Sequence, residues 1–157
     1  MNLKKISLLT ALISIFSIEG FSQSFLKDNG ITPGLRIGSN YSTWYGMSGR
    51  MSFDSGSFEM IITPANNRLT LTGLVEFHES LEVDGLSYFY GLGAHAGFES
   101  NAVPIIGADA IAGLEYAISG SPFMVSLDFK PALDLISSNI GFHWNQGALT
   151  VRYALGR

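Results

Sequence analysis

The sequence predicts an all-β fold, an eight-stranded antiparallel up-and-down transmembrane β-barrel laid out as a meander. Three observations carry that prediction. Residues 123–135, FMVSLDFKPALDL, alternate without a slip: Phe123, Val125, Leu127, Phe129, Pro131, Leu133 and Leu135 share one face, and Met124, Ser126, Asp128, Lys130, Ala132 and Asp134 the other. Strand side chains point to opposite faces in turn, so this segment is apolar on one side and charged on the other. Only 14% of the 157 residues are charged, while 18 are glycine; an ordinary soluble domain has about a quarter of its residues charged. Beyond residue 22 the only lysines are Lys27 and Lys130, so the chain lacks the charged covering expected of a water-exposed surface.

The chain divides into three parts. Residues 1–22 read as a secretory signal peptide: Lys4 and Lys5 form the positive end, Ile6 to Ile18 the apolar run, and Gly20 and Ser22 the small residues before cleavage at Gln23. The apolar run is too short to span a bilayer comfortably, which argues against a membrane anchor. Residues 23–32 form a short leader, and residues 33–157 the barrel domain. Cysteine is absent, which excludes a disulfide framework, a thiolate metal site and a lipid-attachment cysteine. The net charge of −4 gives no reason to expect nucleic acid as a partner.

Each strand follows from its alternation. Pro33 and Gly34 open the first, GLRIGSNY, with Leu35, Ile37 and Tyr41 opposite Arg36, Gly38 and Asn40. A connection over Thr43 to Gly46 leads to MSGRMSFD, where Met47, Met51 and Phe53 oppose Ser48, Arg50 and Ser52. Asp54-Ser55-Gly56 suits a tight hairpin, because Asp and Gly tolerate positive φ. In SFEMIIT, Phe58, Met60 and Ile62 face away from Glu59 and Ile61, and PANNR (64–68) supplies a loop. In LTLTGLVEFHES, Leu69, Leu71, Val75 and Phe77 oppose Thr70, Thr72, Glu76 and His78. The acidic stretch 79–85 then leads to LSYFYGLGAHAGF, whose second face carries Phe89, Gly91, Gly93, His95 and Gly97. After a loop at 99–104, IIGADAIAGLEYAI sets Asp109, Ile111, Gly113 and Glu115 against an apolar face. SGSP (119–122) turns into the seventh strand, 123–135. Residues 137–145 form the last loop, and GALTVRYAL closes the set with Thr150 and Arg152 opposite Leu149, Val151 and Tyr153. No stretch after the signal peptide shows helical periodicity. Eight strands of 8–14 residues match what a tilted crossing of a bilayer requires.

Which face is wet decides the class. The polar face gathers Arg36, Arg50, Glu59, Glu76, Asp109, Glu115, Asp128, Lys130, Asp134 and Arg152, interleaved with glycine, while the other face is free of charge. Small residues beside charges of both signs suit the inside of a narrow barrel, and a closed barrel satisfies every backbone group in lipid. The alternative, a soluble lipocalin-like barrel, would reverse the faces. Tyr88, Tyr90, Phe98, Tyr116 and Tyr153 suit aromatic girdles at the membrane boundaries.

The signal peptide, the eight alternating strands and the terminal LTVRYAL resemble the small outer-membrane barrels of the outer-membrane protein X and protein A type. YFYGLGAHAGF, GADAIAGLEYAI and VSLDFKPALDL are similar to barrel-domain proteins common in Bacteroidetes. The resemblance spans roughly residues 33–155. Barrels of this kind usually end on an aromatic residue, whereas here Tyr153 precedes Ala154-Leu155-Gly156-Arg157. The resemblance implies an outer-membrane location, outer-membrane lipids and the assembly machinery as partners, and a monomer.

Signs of chemistry are sparse. The eight-stranded class includes lipid A-modifying enzymes, and a deacylase among them uses a His-x-Ser arrangement, which His78-Glu79-Ser80 reproduces in spacing alone. A strand puts i and i+2 on one face in any case, and the asparagine-rich surroundings of that enzyme are missing. The three histidines, His78, His95 and His143, lack tight metal-ligand spacing. GLGAHAG lies within a strand and so cradles no phosphate. No cofactor, metal or catalytic residue is expected. The ten lumen charges are expected to pair, with Glu115, Asp128, Lys130 and Arg152 forming a plug across strands six to eight. The expected function is a structural, envelope-integrity one without catalysis; the alternatives are a narrow pore or ion path, a lipid A-modifying barrel enzyme, or a soluble lipocalin-like binding barrel.

Overall fold

The computed structural model describes residues 30–155 apart from 41, 54–55, 66–67, 100–102 and 138–139; the signal peptide and most of the leader lie outside the described residues. The strands are β1 (Ile31–Asn40), β2 (Ser42–Phe53), β3 (Gly56–Ala65), β4 (Arg68–Ser80), β5 (Leu86–Glu99), β6 (Pro104–Ala117), β7 (Phe123–Phe129), β8 (Ala132–Ile136), β9 (Gly141–His143) and β10 (Gly147–Tyr153). Every pairing is antiparallel. The chain runs as a meander from β1 to β6, then β6 pairs β7, β7 pairs β10, and β10 returns to β1 through Gly34↔Arg152 to Ser39↔Gly147. β8 prolongs β7 and pairs β6, and β9 prolongs β10 and pairs β8. The ten segments are therefore eight staves of one closed barrel.

The interruption of the seventh stave corrects the expectation of an unbroken strand over 123–135. Proline has no N–H to donate to a ladder, and the strand breaks at Lys130 and Pro131. Two backbone bonds stitch the break: Ala110 N donates to Pro131 O at 3.0 Å, and Lys130 N to Gln146 O at 2.8 Å. A bulge between Ile106 and Gly107 absorbs the register shift beside β8. The alternation survives, and Asp128, Lys130, Ala132 and Asp134 are all buried inward.

Other boundaries shift because backbone pairing extends past the alternating core of each segment. β1 begins at Ile31, inside the expected leader. Residues 43–46 are not a connection but the start of β2, and Asn40 pairs directly with Ser42. Pro64, Ala65 and Arg68 belong to the β3–β4 ladder, Glu99 to β5 and Pro104 to β6, so those loops are shorter than expected. The last loop contains β9. The two described wide turns use positive φ at Gly85 and Gly120, a conformation that glycine adopts without Cβ strain.

Side chains sort as the alternation requires. Leu35 and Leu92 point outward and are 69% and 71% exposed, whereas Glu59 and Glu76 are wholly buried. Outward aromatics occur toward both ends of the barrel. At the end that carries turns 81–85 and 118–122, Tyr88 stacks near Tyr90 at 6.3 Å and Phe123 meets Tyr153 edge-on at 5.4 Å; at the other, Tyr45, Phe98, Phe142 and Trp144 are exposed. Three inward rings sit where glycine clears space. A Cβ on Gly38 would overlap the Trp44 indole, one on Gly107 the His95 imidazole, and one on Gly113 the Phe89 ring.

Candidate functional site

All ten charged residues read from the sequence point into the bore and are buried. They fall into two sets. The central set joins three guanidiniums to four carboxylates. Arg36 places Nη2 2.7 and 2.9 Å from the two oxygens of Asp128. Arg50 reaches Glu115 at 2.6 Å, Glu76 at 3.1 Å and Glu59 at 3.4 Å, and its guanidinium lies 5.4 Å from the Phe89 ring centroid. Arg152 binds Glu59 at 2.6 Å and Glu115 at 3.2 Å, and donates to Ser126 Oγ. Charges this deep are tolerable only when paired and hydrogen-bonded, and guanidinium serves best because one planar fork reaches several acceptors.

The second set lies toward the opposite end from turns 81–85 and 118–122. Lys130 Nζ meets Asp109 at 2.5 Å. His95 stands between Asp109, 2.6 Å from Nδ1, and Asp134, 3.1 Å from Nε2. Asp134 also accepts from Arg68 at 2.5 Å and lies 3.3 Å from His143 Nε2. Arg68 approaches Glu99 at 3.6 Å.

The grouping expected of Glu115, Asp128, Lys130 and Arg152 separates. Glu115 and Arg152 do meet, but Asp128 pairs with Arg36 and Lys130 with Asp109. Long side chains cross the bore, so partners need not sit on adjacent staves. Arg68, Glu99 and His143, expected in loops, are strand residues of the second set. The signal for Arg68 was present: it continues the inward run of Thr70, Thr72, Leu74 and Glu76.

No hydrogen bond joins His78 to Ser80 among the described residues. Ser80 is exposed at the end of β4. His78 Nε2 instead lies 3.0 Å from Ser57 Oγ and 3.5 Å from Glu76 Oε2, with the ring stacked on Phe89. Hydroxyl and carboxylate thus meet the same ring nitrogen, whereas a base that activates a hydroxyl needs its orienting acid on the other nitrogen. No group of metal-ligating side chains occurs among the described residues. A cavity of about 360 Å³ opens at this end, lined by Thr32, Arg50, Ser52, His78, Glu115 and Met124 among others.

No protein-family model and no curated protein matches the chain. Among solved structures it is similar to the N-terminal β-barrel domain of Pseudomonas aeruginosa OprF, at 14% identity and a TM-score of 0.63, over 80% of this chain and 96% of that one. It is also similar to Neisserial surface protein A (NspA), at 9% identity and a TM-score of 0.56, over 79% of this chain and 94% of that one. The chain has the closed eight-stranded antiparallel barrel fold that these two proteins share.

Proposed function

We propose that the chain is an integral outer-membrane protein whose bore is closed by its own side chains and which supports the envelope structurally, without catalysis. One observation carries the reading: apolar side chains turn outward on every stave while the charges pair inside. A monomer in water rarely exposes a contiguous apolar patch beyond a few hundred Å², and here the belt encircles the barrel. Strands of 10–14 residues over β1 to β6 are long enough to cross a bilayer at a tilt. The similarity to a surface protein and to the OprF barrel agrees with this, as does the resemblance to the outer-membrane protein X, protein A and Bacteroidetes-type barrels.

On this reading residues 1–22 direct export, outer-membrane lipids and the assembly machinery are the partners, and the protein is a monomer. Both termini face the periplasm. The strand ends on the outer side then follow one another closely in sequence, Asn40 to Ser42, Ala65 to Arg68, Glu99 to Pro104 and Ile136 to Gly141, which disfavours a large adhesive or receptor surface. Catalysis is disfavoured by the single-nitrogen geometry at His78. A second reading, a narrow ion path, draws on Arg50, which shares three carboxylates within 3.4 Å and could trade among them.

The test is gel mobility of an outer-membrane fraction with and without boiling. A folded barrel that resists SDS shifts on heating. Recovery as a soluble periplasmic protein with no shift would overturn the proposal.

A further inference from the structure

We infer that the bore is sealed by an apolar septum, Ile61, Leu74, Phe89 and Ile111, and not by the ion pairs on either side of it. This rests on the closed-bore reading above and identifies which residues do the closing. The four side chains form one buried cluster and are 0%, 0%, 1% and 3% exposed. They come from four consecutive staves, β3 to β6.

Their position between the two charge sets follows from the inward order along the strands. On β6 the inward residues run Asp109, Ile111, Gly113, Glu115, so Ile111 separates a member of the second set from a member of the central one. On β4 the inward run from Arg68 to Glu76 has Leu74 before the central carboxylate. Across the bore, Trp44 lies over Gly38 and is 8% exposed, while Ala132 and Ala148 point inward on β8 and β10. No ion pair links the two sets among the described residues.

The cavity at the opposite end reaches Arg50 and Glu115, and behind it the Arg50 guanidinium rests over the Phe89 ring. An ion entering there meets the central charges and then the four apolar side chains of the septum, which offer nothing to replace its hydration. The Ser48 and Thr72 hydroxyls, on the register partners of Ile61, are the polar groups beside them. Hydrophobic constrictions bar ions by excluding water. Partner exchange among Arg36, Arg50 and Arg152 leaves that layer in place, so it opens no path.

The experiment is conductance in planar lipid bilayers of the chain purified from membranes in detergent, with each variant first checked for a heat-dependent gel shift. Wild type and Asp128→Asn should show no discrete steps, whereas the double variant Leu74→Asn with Ile111→Asn should show them. If the double variant does not fold, Leu74→Ser is read in the same way. A folded septum variant that stays silent, or an Asp128→Asn protein that conducts as the septum variant does, would refute the septum and leave the closed-bore reading standing. Steps in the wild type would sink the closed bore itself, and the septum with it.

Discussion

Replacing Arg152 with alanine tests whether the central charges are held by mutual pairing. Arg152 is 1% exposed and bonds Glu59 at 2.6 Å, Glu115 at 3.2 Å and Ser126. Removing one partner of a buried pair costs about 3–5 kcal/mol, because the other charge is stranded. Here neither carboxylate is left alone: Glu115 keeps Arg50 at 2.6 Å, and Glu59 keeps Arg50 at 3.4 Å and Arg36 at 3.8 Å. The cost should therefore sit at the low end, about 3 kcal/mol. The assay is urea unfolding of the detergent- or vesicle-held barrel. With a slope of about 2 kcal/mol/M, the midpoint should fall by roughly 1.5 M. Adding Glu59→Gln removes the surplus carboxylate charge and should recover about 1 kcal/mol or more, a coupling expected of residues in one network. A loss below about 1 kcal/mol for Arg152→Ala would mean that water, not Arg152, solvates these carboxylates, and the pairing argument would fall.

Three further outcomes follow. Leu92→Arg, at an outward site midway along β5 that is 71% exposed, should cost about 2–4 kcal/mol in lipid vesicles; the same change on a water-facing surface would stay within about 0.5 kcal/mol. Gly38→Ala puts a methyl into the Trp44 ring and should cost about 1–3 kcal/mol by overpacking, with a shift in Trp fluorescence and relief by Trp44→Leu. His78→Ala should lower stability through Ser57 and Glu76 yet leave the mass of co-expressed lipid A unchanged, as should Ser80→Ala; a His78-dependent change in lipid A mass would reinstate the enzymatic reading.

The inward and outward faces were legible because period-two alternation is a local property, written residue by residue along each strand. Pairing partners were not. Arg36 and Asp128 lie 92 positions apart in sequence, and which wall a guanidinium reaches depends on bore width and stave stagger, neither of which alternation encodes. Loop limits were overestimated at Arg68, Glu99 and Pro104, since polar or proline residues read as turn chemistry even where the ladder continues. Pro131 shows the converse: its place in the alternation was right, and its missing N–H broke the strand all the same. The septum was visible only in part. Ile61, Phe89 and Ile111 stood on the polar face by parity, but nothing local brings them to one level of the bore.

The rings seated on glycines carry a consequence for descent. Trp44 with Gly38, His95 with Gly107, and Phe89 with Gly113 each occupy a volume that neither residue specifies alone. A lineage that gains a side chain at one of these glycines must shrink or lose the ring above it, and a lineage that loses the ring is free to let the glycine drift. Three couples of positions should therefore change together among relatives of this chain, each inherited as a unit, while the outward apolar positions between them vary singly.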